Sequence, residues 1–234
     1  MRRVMLVFLV IGVVFLGFPS VYTIYYFRVG NYSTAVSVSN MGEEDAKVDA
    51  KVFDRNGNVL WHGSFNLAPY SSRLIDVSEL FESSDESWGL FLAESEGLLN
   101  LFAVYKDDEE PFAVDQVIEP IQQLKDATYY WYSVGYVNKE DFGMGLIFMN
   151  PNPRPVQVYA WVKDSSGETL WELEGTLQPF SSAFVDLSEY AKGEYGVLDV
   201  RADLPINLAT EFYFGGDIWT VDNIVDWYTY MRGK

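Results

Sequence analysis

The chain says the same thing twice. Residues 67–80 (LAPYSSRLIDVSEL) return as residues 177–190 (LQPFSSAFVDLSEY), with seven of the fourteen positions identical. The match extends in both directions. Asn40 meets Asn150, Val48 meets Val158, Gly57 meets Gly167 and Trp61 meets Trp171 at a constant spacing of 110 residues. Beyond the Ser-Glu turn the spacing drops to 107, so that Gly89 meets Gly196, Asn100 meets Asn207 and Asp115 meets Asp222. A duplication of this length sets the architecture before any local argument. Each copy holds roughly one hundred residues, the usual size of an independent domain and far too long for a solenoid repeat. Two globular units follow, over residues 21–118 and 129–234, joined by a proline-containing linker at 119–128.

Within a copy the pattern is that of strands. Lys47-Val48-Asp49-Ala50-Lys51-Val52 alternates polar and apolar at period two, which half-buries a strand with Val48, Ala50 and Val52 inward. Asp54-Arg55-Asn56-Gly57 interrupts with turn chemistry, and Asp164-Ser165-Ser166-Gly167 does the same in the second copy. Asp76-Val77-Ser78-Glu79 reads as one helical turn capped by the aspartate or the serine. Short strands at regular spacing, with no long helical period, predict an all-β chain. The expected form is two tandem antiparallel β-sandwiches, Ig-like or jelly-roll in type, of about seven strands each.

The order of these signals carries a resemblance. Asn40-Met41-Gly42 leading into a strand, a glycine turn, Pro69-Tyr70-Ser71-Ser72 and then Asp76-Val77-Ser78-Glu79 resembles the small β-sandwich of the sensory rhodopsin transducer family. The resemblance implies the sandwich fold and a tendency to oligomerise. It carries over no binding residue, and an exported tandem departs from the single cytoplasmic domains of that family.

Residues 1–20 are a different material. Met1-Arg2-Arg3 is basic, and residues 4–18 follow without a charge, the layout of an export segment. It is read either as a signal peptide that is removed or as a membrane anchor that is kept. Both place the body outside the cytoplasm. Membrane contact is expected only through this segment when it stays uncleaved.

Composition excludes several functions. The formal net charge of -18 rules against nucleic acid, whose phosphates demand Lys and Arg. There is no cysteine and only one histidine, His62, so thiolate and Ser-His-Asp catalysis lack their parts. A nitrogen- or sulfur-ligated metal has no ligand set, which leaves calcium, held through oxygen, as the one conceivable cofactor. Asp107, Asp108, Glu109 and Glu110 are the candidate cation ligands, on what reads as an acidic hairpin tip. Aromatic side chains, 17% of the chain, supply the other candidate surface: Tyr130, Trp131, Trp219 and Trp227, suited to stacking on a carbohydrate or to a protein contact. The expected function is non-enzymatic: an exported or cell-envelope protein used for structure, assembly or protein interaction, with a protein partner or its own copies. A carbohydrate-binding pair of modules is the first alternative, and a carboxylate-dependent hydrolase the second.

Overall fold

The computed structural model describes residues 19–80, 87–117, 120–121, 127–191, 193–224 and 228–231. The export segment therefore lies outside the described residues except for Pro19 and Ser20, and so does Trp227. No described helix is long and apolar enough to cross a membrane.

The first repeat contributes β1 (Ser20–Arg28), β2 (Tyr32–Asn40), β3 (Ala46–Asp54), β4 (Val59–Leu67), β5 (Ser72–Asp76), β6 (Ser87–Ser95), β7 (Leu99–Asp107) and β8 (Glu110–Val117). The second contributes β9 (Ala127–Asn138), β10 (Phe142–Met149), β11 (Val156–Asp164), β12 (Thr169–Leu177), β13 (Ser182–Asp186), β14 (Glu194–Ala202), β15 (Asn207–Phe214), β16 (Asp217–Ile224) and β17 (Tyr228–Met231). They form four antiparallel sheets: sheet I in the order β1-β6-β3-β4, sheet II β5-β2-β7-β8, sheet III β12-β11-β14-β9-β17 and sheet IV β13-β10-β15-β16.

The duplication holds in three dimensions down to the register. Tyr22 faces Ala93 and Ala50 faces the same Ala93 in sheet I; Tyr132 and Ala160 both face Val200 in sheet III. Several doubled residues do the same work in each copy. Asn40 donates through Nδ2 to the carbonyls of Glu44, Leu67 and Ala68, and Asn150 to those of Arg154, Leu177 and Gln178. Asp76 and Asp186 each cap a single 3-10 turn, accepting from the backbone of Ser78 at 3.0 Å and of Ser188 at 2.8 Å.

The expectation of two tandem seven-stranded β-sandwiches, from the strand count and from the family resemblance alike, is corrected. The described strands make four small sheets in a four-bladed propeller arrangement, and strand order within each sheet is interleaved rather than sequential. The reason is visible in β1. Six consecutive residues, Tyr22 to Phe27, are buried. Ile24 and Tyr26 lie on one face, while on the other Thr23 accepts from Asn207 and Tyr25 bonds to Glu211, both of the second repeat. A strand covered on both faces reads as a continuous apolar run and not as an alternation. In the sequence this run merges with the apolar segment before it. The other side of the contact is β10, where Met144 and the four residues from Leu146 to Met149 are all buried. Ile147, Met149, Ala209 and Val221 of sheet IV belong to the hydrophobic core of the first repeat, while Leu146 and Phe148 belong to that of the second. Sheet IV is thus apolar on both sides and joins the two cores.

Candidate functional site

Where sheet IV meets sheets I and II lies a polar network whose members come from both repeats. The Tyr25 backbone N–H donates to Asn223 Oδ1 at 2.9 Å, and Tyr105 Oη donates to the Tyr25 carbonyl at 3.0 Å. Asn223 Nδ2 donates to Tyr105 Oη at 3.0 Å and to Asp115 Oδ2 at 2.7 Å, and the Asn223 backbone N–H also reaches Asp115 Oδ2. Farther along, Tyr25 Oη donates to Glu211 Oε1 at 2.8 Å, and Tyr213 Oη donates to Glu211 Oε2. Burial holds the Glu211 carboxyl above the usual carboxylate range, although both tyrosine bonds pull the other way. Burial, and then the neighbouring Glu211, push the Tyr25 and Tyr213 hydroxyls upward.

Glu211 forms part of the wall of a cleft of about 660 Å³ between the repeats. Phe27, Trp88 and Arg55 line it from the first repeat, Phe184 and Ile218 from the second. Among the described residues lining this cleft Glu211 is the one carboxylate. The turn at Arg55 is fixed by the second repeat: Ser182 donates its backbone N–H to the Arg55 carbonyl at 2.9 Å, and Phe180 stacks on Phe53 with ring centroids 4.6 Å apart. A concave wall that combines aromatic and aliphatic side chains with a few polar groups is the usual form of a binding pocket.

A second candidate surface lies on the face of sheet III turned away from its core. Trp131 and Trp161 stand with ring centroids 6.3 Å apart at 23°, and Tyr159 and Trp161 6.4 Å apart at 12°. The Arg201 guanidinium sits 4.5 Å from the Tyr129 ring centre, 4.8 Å from that of Tyr159 and 5.4 Å from that of Trp161. Asp199 pairs with Lys163 at 2.5 Å and accepts from Ser133 at 3.0 Å. Its burial raises the carboxyl, but the bonds from Lys163, Ser133 and the Trp131 indole outweigh burial and leave it below the usual range.

The sequence candidates scatter. Trp131 belongs to the sheet III surface. Tyr130, its neighbour, points into the core and is 1% exposed, because successive strand residues face opposite ways. Trp219 is 63% exposed on β16, edge-on to Phe142 at 6.1 Å, well apart in the fold from Trp131's cluster. Asp107 to Glu110 form an exposed tip where Asp108 and Glu109 have positive φ and Asp108 accepts from the Asn31 side chain at 3.1 Å. No group of three or more acidic or histidine side chains among the described residues is placed to hold a metal ion. His62 is exposed and bonded to Asp49 at 2.7 Å. Asp115, matched to Asp222 in the alignment of the copies, accepts from the backbone of Gln116 in its own repeat and from Asn223 of the other. Glu211, Tyr159, Trp161 and Arg201 were missed by sequence reasoning. The signal was the internal alignment itself, where they replace Val104, Asp49, Lys51 and Glu94 of the first copy.

No family model matches the chain, and no curated protein matches it. Among solved structures it is similar to the PBSX exported protein XepA, at 13% identity over 81% of each chain with a TM-score of 0.26. It is also similar to a β-glycosidase from Bacteroides vulgatus, at 10% identity over 92% of this chain and 26% of that one with a TM-score of 0.23. Infectious bursal disease virus Gx strain follows at 11% identity, 84% and 59% coverage, and a TM-score of 0.18. Likenesses this weak carry no argument about activity.

Proposed function

We propose that the chain is a non-enzymatic extracytoplasmic protein of the cell envelope or surface, with a structural, assembly or protein-interaction role. One observation carries the reading. The carboxylate that lines the inter-repeat cleft has both oxygens engaged, one by Tyr25 of the first repeat and one by Tyr213 of the second. A glycosidase divides its work between two carboxyl groups facing one gap, and its nucleophile or base must be free to meet substrate. Glu211 is instead a clasp between the halves. The buried polar groups around it, Tyr25, Tyr105, Asp115 and Asn223, satisfy one another, as a network that fixes a unique packing does.

The test is fractionation of the native source followed by measurement of the mass of the intact complex. The expected result is a chain recovered outside the cytoplasm in an assembly larger than itself. A strictly monomeric chain in the cytoplasm overturns the reading. So does turnover of chromogenic glycosides that disappears in Glu211→Gln.

A further inference from the structure

The two repeats share the pairings β1-β6-β3-β4 and β9-β14-β11-β12, with β17 added beside β9 in the second, yet differ sharply in what they carry on the outer face. In sheet III one cross-strand row runs Glu174, Tyr159, Arg201, Trp131, and the next runs Glu172, Trp161, Asp199, Ser133. The same rows in sheet I run Ser64, Asp49, Glu94, Val21 and His62, Lys51, Leu92, Thr23. Sheet I therefore forms in the same register with no Trp, Tyr or Phe at any of these positions, and those rings are not a requirement of the fold. Over β1 and β6 sheet I is covered by sheet IV, with Thr23 and Leu92 each 1% exposed. In sheet III the matching positions are Ser133, which is exposed, and Asp199, which is paired to Lys163. So the second repeat does not offer the junction surface again. It offers a different one.

We propose that this outer face of sheet III, centred on Trp131, Trp161, Tyr159 and Arg201, binds a neutral carbohydrate chain. The proposal deepens the interaction role and rests on it only for its non-enzymatic character. Rings and charged groups alternate along the first row, and in the second Trp161 stands between Glu172 and Asp199. Protein interfaces deplete Asp and Glu at their centre even where they favour Trp, Tyr and Arg, so a second protein would have to bury Glu172, Glu174 and Asp199 without gain. A sugar presents both chemistries at once, C–H faces for the indoles and hydroxyls for the carboxylates and the guanidinium. Arg201 Nε is buried without a hydrogen-bond partner, and the exposed Glu172 and Glu174 flank the rings as acceptors. These two acids, and a chain of 34 acidic against 16 basic residues, repel a polyanion and favour an uncharged glycan.

The full chain is run through native gels containing soluble neutral polysaccharides (β-glucan, xylan, galactomannan), with alginate as the polyanionic control, and the dissociation constant of any positive is measured by calorimetry. At least one neutral polysaccharide should retard it and alginate should not. Trp161→Lys and Trp131→Val install the residues that sheet I carries in the same register. Each should weaken binding by about tenfold or more while leaving the melting temperature near that of the parent. If either lowers the melting temperature, Trp161→Phe and Trp131→Phe take its place and should weaken binding severalfold. Trp219→Ala should bind as the parent does. The proposal is overturned if no neutral polysaccharide is retained, if binding survives both tryptophan substitutions, or if alginate is preferred. A chain that dimerises until Trp161→Lys is introduced overturns it in favour of a copy-to-copy contact. The glycan outcomes leave the native-mass test of assembly untouched, and only the dimer outcome bears on it.

Discussion

The backbone N–H of Tyr25 donates to the side-chain Oδ1 of Asn223 at 2.9 Å, joining residues 198 apart in sequence. β1 is an edge strand of sheet I, and an edge with free backbone groups invites unwanted pairing. Here side chains close the edge. Asn207 Nδ2 donates to the Thr23 carbonyl at 3.0 Å, Tyr105 to that of Tyr25, and the Thr34 hydroxyl serves both backbone groups of Phe27. Two of these side chains, Asn207 and Asn223, belong to the second repeat. Asn223→Ala leaves the Tyr25 N–H, the Tyr105 hydroxyl and Asp115 short of a buried partner, and should cost about 1–3 kcal/mol in denaturant melts. Gln116, its counterpart in the first repeat, is exposed. Gln116→Ala should change stability by less than about 0.5 kcal/mol. Equal effects of the two would refute the edge-closing role.

Gly57 and Gly167 offer a matched experiment. Both occupy the same hairpin position at φ +86 and +87, so an added Cβ strains both backbones alike, by about 1–2 kcal/mol. Their surroundings differ. A Cβ on Gly57 would lie 2.3 Å from the Pro179 carbonyl oxygen of the second repeat, whereas one on Gly167 meets nothing within 4 Å. Gly57→Ala should therefore be worse than Gly167→Ala by about 1 kcal/mol or more, the added cost of overpacking against backbone. Urea unfolding of the two single variants measures the difference, and a difference near zero would mean that the junction yields without cost.

The duplication, the hairpin turns and the aspartate caps were legible because each is a local signal. Asp54 Oδ1 accepts from the backbone of Asn56 and of Asn58, as its Asp-x-Asn-Gly spelling implies. What the sequence did not yield was the covering of sheet I by sheet IV. That contact depends on residues far apart in sequence, and its two strands, β1 and β10, lose the period-two alternation by being buried on both faces. The clue lay in the comparison of copies: Ser37 and Ser39 become Ile147 and Met149, a polar outer face turned apolar, and Val104 becomes Glu211. The sheet III surface was half legible. Trp131 was named from its local cluster, but Tyr159, Trp161 and Arg201 reach it only through strand pairing, and Tyr130 was placed on the wrong face.

Phe180 and Tyr70 are a second matched pair. Both follow the repeated proline and both sit at positive φ, 57 and 56. Tyr70 is 69% exposed, whereas the Phe180 ring lies parallel to Phe53, within 9°. Phe180→Ala should lose about 1–2 kcal/mol through lost apolar burial and ring stacking, and Tyr70→Ala only a few tenths. Thermal melts of the two variants read this directly, and a larger effect at Tyr70 would contradict the junction described here.

The junction also sets a pH dependence. Burial raises the carboxyls of Glu211, Asp115 and Asp222, the last also because Asp115 lies near it. A carboxyl raised in the folded state binds its proton more tightly there than in the unfolded chain. Its contribution to stability is full below its usual value, 4.5 for Glu211, and is lost as pH rises through the folded value. Asp76 and Asp199 act oppositely. Burial pushes them up, but the bonds from Lys106 and Ser78 and from Lys163 and Ser133 prevail and lower them, so their contribution is lost only as pH falls below 3.8. The two sets operate in separate windows. Above the ordinary carboxylate range the raised set governs, and the melting temperature should decline as pH climbs through the folded values. Glu211→Gln removes the titrating group while keeping an oxygen for one tyrosine. Its melting temperature should fall less steeply over the same range, and parallel curves for the two proteins would show that the clasp at Tyr25 and Tyr213 does not titrate.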